Sequence, residues 1–212
     1  SHLGAVTAGI FALNQQGIDG GVLQMINHGV STGGLFLIIG MLYERRHTRL
    51  IEDFGGIAKV MPVYAALTLA IVFSSIGLPG TNGFIGEFLI LIGLFKANTA
   101  AAAIGAAGVI LGAAYMLWMY QRVIYGRTAS PENERLEDLN AREVIILVPV
   151  IALIFWIGVF PGHFLKISSA STANITRMFN ENSARQRLAV NAGADTRISA
   201  ASRTGDSAGE NR

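Results

Sequence analysis

The chain contains no cysteine, and charged residues make up only 14% of its 212 residues. Without cysteine it cannot form a disulfide framework or bind zinc or an iron–sulfur cluster through thiolates. A soluble domain carries about 25% charged residues; this composition, 51% hydrophobic with a mean hydropathy of +0.47, is that of a membrane protein. The net charge of +2 does not indicate nucleic-acid binding, because the arginines lie in loops and a tail rather than on one basic face.

Four runs without a charged residue are long enough to cross a bilayer as helices, which takes about 20 apolar residues. They cover residues 20–43, 60–86, 97–121 and 144–165. A shorter run, 3–18, predicts the end of a helix closed by a polar turn at 14–21. The pattern predicts an all-α, polytopic transmembrane bundle over residues 1–165, followed by a polar tail over 166–212 that is partly disordered.

The hydrophobic stretch at 62–95 is too long for one straight span, and it contains the sequence LPGTNG at 78–83. At 1.5 Å per residue its two parts, 62–77 and 84–95, extend about 24 and 18 Å, so neither alone crosses a core of about 30 Å. Pro79 removes a backbone donor, and the glycines permit unusual dihedrals. We therefore predict one discontinuous helix, whose two halves meet inside the membrane and cross it once. A surface hairpin between two short, tilted helices is the alternative.

Basic residues concentrate in two loops, 44–60 and 121–142, whereas the connections between them hold only Lys96. By the positive-inside rule, both loops are predicted to be cytoplasmic, in a bacterial inner membrane. An even number of crossings must then separate the two loops. The stretch at 62–95 can therefore count as only one crossing, which argues against the hairpin.

Glu87 is the only acidic residue inside the long apolar stretches. A carboxylate at membrane depth is costly and usually functional. The pattern places it in the first turn of the second half-helix, where desolvation and the helix dipole act on the carboxyl group in opposite directions. Such a group can bind and release a proton. The alternative is a glutamate that only caps a helix at the membrane surface.

A polar stripe on the second span includes His28. The polar residues of this span are Gln24, His28 and Thr32, which repeat at i, i+4 and i+8, with Asn27 and Ser31 beside them. Such a stripe is expected to face protein or trapped water, here the broken helix, rather than lipid, and His28 can pass protons near neutral pH. A hydrogen-bonded packing histidine is the alternative. Spacing alone assigns no role to His2; His47 is expected to be solvated, and His163 receives no assignment.

Motifs for other chemistry are absent from the sequence. It holds no phosphate-binding loop, no metal-ligand spacing and no nucleophile elbow. Any reaction of this chain is therefore expected to be the movement of protons or ions, with no cofactor or metal on the chain itself.

Several motifs together resemble the chain M family of proton-pumping NADH:quinone oxidoreductase, respiratory complex I, and its mitochondrial subunit 4 counterpart. They are SHLG at 1–4, QMINHG at 24–29, LYER at 42–45, HTR at 47–49, GG at 55–56, MP at 61–62, GLPG at 77–80 and FIGEF at 84–88. The resemblance covers roughly residues 1–165. The family has fourteen transmembrane helices, of which this chain resembles the end of the tenth through the fourteenth, and the broken twelfth falls at 62–95.

The resemblance implies a proton-translocating subunit, of which this chain would supply the exit half of a channel. It implies that Glu87 is the terminal protonatable residue of the proton path. His28 and His2 would be histidines of the central hydrophilic axis. The sister antiporter-like chains usually carry lysine at the Glu87 position. The implied partners are other membrane subunits of complex I, the neighbouring antiporter-like chains. No quinone, flavin or iron–sulfur site is expected here, so electron transfer would occur in partner subunits. By itself the chain is not expected to pump.

Two other functions stay open from the sequence. A Mrp-type sodium/proton antiporter subunit or a membrane chain of a formate hydrogenlyase shares this fold, and a sodium pathway would distinguish the first of these. A purely structural membrane scaffold, in which Glu87 is a packing residue, would be a function of a different class.

Overall fold

The computed structural model describes residues 1–127 and 130–206, and this part of the chain contains helices and no strand. The helices are α1 (His2–Phe11), α2 (Gln15–Arg46), α3 (Ile57–Val60), α4 (Pro62–Ser75), α5 (Asn82–Ala97), α6 (Thr99–Ile124), α7 (Ala141–Val159) and α8 (Pro161–Asp206). Short 3₁₀ turns lie at Ile51–Asp53 and Asn133–Arg135. Three helices, α2, α6 and α7, are long and apolar enough to cross a membrane. The predicted all-α transmembrane bundle is confirmed.

Helix α2 begins earlier than the sequence pattern indicated. The predicted turn at 14–21 is wrong beyond Asn14, whose side chain accepts a hydrogen bond from the Gly17 amide at 3.0 Å and thereby starts the helix. The glycines of this segment pack against neighbouring helices, with Gly17 beside the backbone of Gly93 in α5. At 1.5 Å per residue, the 32 residues of α2 extend about 48 Å, which exceeds a hydrocarbon core of about 30 Å.

Helices α4 and α5 form one antiparallel path along α2. The contacts in order along this path are Tyr64 with Ile38, Ile71 with Gly34, Ser74 with Ser31, Asn82 with Asn27, Gly86 with Gln24, Ile90 with Gly20, and Gly93 with Asn14. As the residue number rises along α4 and α5, the residue number of the contacted position on α2 falls steadily. The chain therefore does not reverse its direction at the break. Between Ile38 and Asn14 the path covers about 36 Å of α2. It is one discontinuous crossing, and the hairpin alternative is wrong.

The break covers residues 76–81, slightly earlier than predicted. Gly77 has a φ of 69° and ends α4 in a Schellman motif, in which the Leu78 amide donates to the Phe73 carbonyl at 3.0 Å and the Gly77 amide to the Ser74 carbonyl at 3.4 Å. Asn82 already belongs to α5. The chain therefore leaves the helix at a left-handed glycine rather than at Pro79.

The two basic loops meet at one end of the bundle. Arg45 forms a two-pronged ion pair with Glu143 at 2.7 and 2.8 Å and also donates to the Asp138 carbonyl. The Asp138 carboxylate in turn accepts hydrogen bonds from the first amides of α4, those of Val63 and Tyr64, at 2.8 and 3.0 Å. Segments 44–60 and 121–142 thus share one face of the bundle, which we call the basic end; residues 128–129 of the second segment lie outside the described residues.

The C-terminal part differs from the sequence expectation. Helix α8 continues to Asp206, although the sequence predicted helix only in the first part of the tail. Alanine and arginine are strong helix formers, and no proline follows Pro161, so a helix persists without an apolar periodicity. The part of the predicted disorder at 207–212 lies outside the described residues. Residues 1–170 make up one compact unit and 171–212 a second, and the functional division at residue 165 stays a prediction.

Candidate functional site

Glu87 lies in the second turn of α5, not in the first, because α5 begins at Asn82. The residue is buried, with 9% of its surface exposed. A Cβ atom at Gly77 would lie 2.5 Å from its Oε2 atom, so the carboxylate rests against the backbone of the break. The Nε2 atom of His2 lies 3.5 Å from its Oε1 atom.

His2 connects Glu87 to His28. The Nε2 atom of His2 lies 3.0 Å from the Ser75 carbonyl oxygen, at the end of α4, and its Nδ1 atom lies 3.3 Å from Nδ1 of His28 on α2. The Nδ1 atom of His28 also lies 3.0 Å from the Thr32 hydroxyl. The sequence assigned these residues separately, and the structure brings Glu87, His2 and His28 into one connected group.

The hydrogen-bond partners determine where protons reside in this group. A carbonyl oxygen only accepts, so Nε2 of His2 carries a hydrogen. In neutral His2 the Nδ1 atom is then an acceptor, and Nδ1 of His28 must donate to it. When His2 is protonated, its Nδ1 donates instead to the single lone pair of His28 Nδ1. The two Nδ1 atoms can therefore share one proton between them.

The polar side chains that face the break form a second group. We call this the break cluster: Gln24, Asn27, Ser31, Ser74 and Asn82. Asn27 donates to the Asn82 carbonyl at 2.7 Å, and the Ser74 hydroxyl donates to the Asn82 side chain at 2.5 Å. The hydroxyl groups of Ser31 and Ser74 also lie 2.5 Å apart. These bonds satisfy groups at the two helix ends that water would otherwise have to reach.

The line of polar residues on α2 that faces the broken helix differs from the predicted one. Of the predicted stripe, only Gln24 faces the broken helix, together with Asn27 and Ser31, which are 1% and 2% exposed. His28 and Thr32 are partly exposed and lie on the α1 side of α2, where His28 contacts His2. The i, i+4, i+8 spacing identified the polar side of α2 correctly. The residues that face the broken helix, however, follow the neighbouring line Gln24, Asn27 and Ser31.

The remaining histidines lie elsewhere. His47 ends α2 in a left-handed conformation and is exposed, and His163 stacks on Trp156 with ring centroids 5.9 Å apart. No group of three or more potential metal ligands is arranged to hold a metal ion within the described residues. Sequence reasoning missed the roles of Ser74 and Asn82, although polar residues on both sides of a predicted intramembrane break were an available signal.

Comparison with known proteins gives the family. Residues 1–120, more than half of the chain, match the family model described as NADH:quinone oxidoreductase/Mrp antiporter, transmembrane. The chain is 42% identical over 180 residues to NADH-quinone oxidoreductase subunit M of Rhodobacter capsulatus, a match that covers 85% of this chain and 35% of that protein. It is 43% identical over 177 residues to NADH-ubiquinone oxidoreductase chain 4 of Marchantia polymorpha, with coverage of 84% and 36%.

Solved structures agree with this result. A chain of respiratory complex I from Thermus thermophilus with bound NADH superposes with a TM-score of 0.76 at 36% identity, covering 83% of this chain and 38% of that one. A chain of the Mrp complex from a Dietzia species has the same fold, with a TM-score of 0.68 at 22% identity and coverage of 83% and 41%. The chain spans about a third of the length of the curated relatives that it matches. It is an integral membrane protein, and it belongs to the NADH:quinone oxidoreductase/Mrp antiporter transmembrane family.

Proposed function

We propose that the chain is the C-terminal part of a proton-translocating, antiporter-like subunit of an NADH:quinone oxidoreductase complex, in which Glu87, His2 and His28 carry protons. The observation that carries this proposal is the Glu87 carboxylate, which is buried and lies 3.5 Å from a histidine nitrogen. A carboxylate held permanently charged without partners in an apolar site costs several kcal/mol. A carboxyl that exchanges a proton with His2 avoids that cost for part of a cycle.

The same proposal assigns electron transfer to partner subunits. The chain has no cysteine, and its buried polar residues hydrogen-bond to one another around a helix break. We propose that the chain has no cofactor of its own. Its proposed partners are neighbouring antiporter-like membrane subunits. Its similarity to subunit M and chain 4 proteins supports this assignment. On its own, with about a third of their length, it is expected not to pump.

The orientation follows from the basic end. We assign that end to the cytoplasmic side of a bacterial inner membrane, by the positive-inside rule. Glu87 neighbours Gly86, which packs on Gln24 of α2, and Gln24 stands ten residues, or about 15 Å of helix, from Asn14 at the opposite end. Glu87 is thus nearer to the outer side, which suits the exit half of a channel.

A sodium pathway is the second candidate, because the Mrp complex shares the fold. Hard cations such as sodium prefer several oxygen ligands. Here one carboxylate lies beside two imidazoles, and the adjacent Ser75 carbonyl already accepts from His2. Nitrogen donors beside a single carboxylate favour a proton as the transported ion.

The test uses the full-length subunit in its complex, with proton translocation and quinone reduction measured in membrane vesicles. Glu87→Gln should abolish most proton translocation and leave assembly nearly unchanged, because the amide keeps the volume but cannot exchange a proton. Glu87→Asp should retain part of the activity, because it keeps the titrating group.

A scaffold role predicts the reverse order for these two variants, since Gln matches the shape of Glu and Asp leaves a void. Full proton pumping by the Glu87→Gln variant would contradict the assignment of Glu87 to a proton channel. Replacing sodium by choline in the buffer should leave translocation unchanged. A requirement for sodium would instead favour the antiporter alternative.

A further inference from the structure

Helix α4 ends beside the candidate site, where the Ser75 carbonyl accepts the Nε2 hydrogen of His2 at 3.0 Å. This bond determines which nitrogen of neutral His2 carries the hydrogen, and therefore how Nδ1 meets His28. Glu87 of α5 and Tyr115 of α6 are the other titratable groups that border His2. Because the carbonyl belongs to the backbone, it moves with α4 as a whole. The position of α4 along its own axis therefore determines whether His2 has this acceptor.

The cap at the start of α4 comes from a different segment of the chain. Pro62, the first residue of the helix, has no backbone amide, and the side chain of Met61 before it has no oxygen acceptor. The Asp138 carboxylate accepts from the next two amides, those of Val63 and Tyr64, with one oxygen each at 2.8 and 3.0 Å. A carboxylate at this end of a helix also interacts favourably with the helix dipole. Asp138 is therefore the N-cap of α4.

Asp138 is itself held by two neighbouring helices. Arg45 of α2 donates to the Asp138 carbonyl at 3.2 Å and to the Glu137 carbonyl at 2.9 Å, while its guanidinium pairs with Glu143 of α7. The Leu139 amide donates to the Asp138 carboxylate at 2.8 Å and so fixes its orientation. The carboxylate is thus a fixed point in front of α4 rather than a loosely attached surface group.

The other end of α4 is blocked by α5. A Cβ atom at Gly83 in the first turn of α5 would overlap the carbonyl oxygen of Ser74, so the two backbones are in contact. Helix α5 is in turn fixed on α2, because a Cβ atom at Gly20 would lie only 2.7 Å from the Ile90 backbone nitrogen. Movement of α4 toward the break is therefore blocked. Its movement toward the basic end is opposed by the carboxylate in front of its first turn.

We propose that Asp138 is a positioning residue for the group of Glu87, His2 and His28. It holds α4, which is 14 residues or about 21 Å long, at the axial position where the Ser75 carbonyl reaches His2. The helix transmits this position because it is a rigid element. The effect of Asp138 on proton movement rests on the proposed function; its effect on the position of Ser75 does not.

The test compares variants of the full-length subunit in the assembled complex. Asp138→Ala removes the acceptor and opens space in front of α4, whereas Asp138→Asn keeps the shape and one accepting oxygen. Glu137→Ala is the matched control, because Glu137 is acidic, adjacent and exposed, and it contacts Arg45 through its backbone carbonyl. Cryo-electron microscopy gives the structure of each variant. Proton translocation and quinone reduction are measured in vesicles over a range of pH.

In Asp138→Ala, the separation between the Ser75 carbonyl oxygen and Nε2 of His2 should increase from 3.0 Å to beyond about 3.5 Å, where the hydrogen bond is lost. Protons translocated per quinone reduced should fall about 2- to 10-fold, and the pH of half-maximal translocation should move by about 0.5–1 unit, the equivalent of one hydrogen bond. Asp138→Asn and Glu137→Ala should stay within about twofold of the unmodified complex. Asp138→Ser, a shorter cap, replaces Asp138→Ala if that variant does not assemble.

Three outcomes separate this proposal from the proposed function. If Asp138→Ala lowers only the amount of assembled complex, with the separation between Ser75 and His2 and the pH profile unchanged, Asp138 is a structural cap and the proposal is wrong. If α4 shifts in this variant but the Glu87→Gln complex pumps fully, the positioning of Ser75 stands and the proposed function fails. If Glu87→Gln abolishes pumping while Asp138→Ala keeps the original structure and pH profile, only the positioning role is wrong.

Discussion

Replacing Gly77 by alanine should displace the Glu87 carboxylate without removing it. The new Cβ atom would lie 2.5 Å from Oε2 of Glu87, whereas ordinary contacts begin at about 3.4 Å, so the carboxylate must retreat by about 0.9 Å. The oxygen stands at the end of a flexible side chain, so it moves more readily than the backbone. This shift alters the 3.5 Å separation from His2. A misplacement of about 1 Å can cost about 100-fold in rate, and we expect proton translocation to fall by 10- to 100-fold.

Gly80 supplies the matched control. It also has a positive φ, of 93°, but a Cβ atom there would meet nothing within 4 Å. Alanine is strained at both positions because φ is positive, by about 1–2 kcal/mol or more, but only at Gly77 does its Cβ atom also meet Glu87. The assay is proton uptake or release by vesicles, divided by the quinone reduction rate and by the amount of assembled subunit. Gly77→Ala pumping as well as Gly80→Ala would refute the placement of Glu87 against the break.

Two further predictions concern stability, and both are measured by thermal denaturation of the purified complex. Gly158→Ala should destabilise this region by about 1–3 kcal/mol, because its Cβ atom would lie 2.5–2.6 Å from backbone carbons of Thr81 and Gly80. The control Gly162→Ala, whose Cβ atom would meet nothing within 4 Å, should be nearly neutral. Equal effects of the two variants would contradict the packing of α7 on the break. Glu143→Leu should cost about 1–3 kcal/mol because it leaves the partly exposed Arg45 without its carboxylate partner, and adding Arg45→Met should recover part of the loss; additive losses would show that the pair is not coupled.

The discontinuous crossing was predictable because several independent signals agreed. The length of 62–95, the proline at position 79 and the charge distribution of the loops all require one interrupted helix. Its bounds were less predictable. A glycine ends a helix when a Schellman motif can form, which depends on the two hydrogen bonds around Gly77, and composition alone does not distinguish Gly77 from Gly80.

The site was predictable in its members but not in its connections. Glu87 and His28 stand out because polar groups are costly at membrane depth, whereas the contact between His2 and His28 depends on how α1 packs against α2. The pairing of Arg45 with Glu143 joins residues 98 positions apart. Helical periodicity also located the polar side of α2 only to within one line of residues, because neighbouring lines differ by a small rotation about the axis.

Helix α7 ends at the level of the break between α4 and α5. Gly158, just before α7 ends, lies against the backbone of Gly80 and Thr81, so the junction of α7 with α8 adjoins the break between α4 and α5. The ladder of helical hydrogen bonds is therefore interrupted between α4 and α5 at the level where α7 ends, while α2 and α6 pass through this level unbroken. The parts of the bundle on the two sides of the break are joined by α2 and α6. They can therefore tilt against each other only as far as these two helices bend. Their bending stiffness limits how far the carboxylate and the two imidazoles can separate.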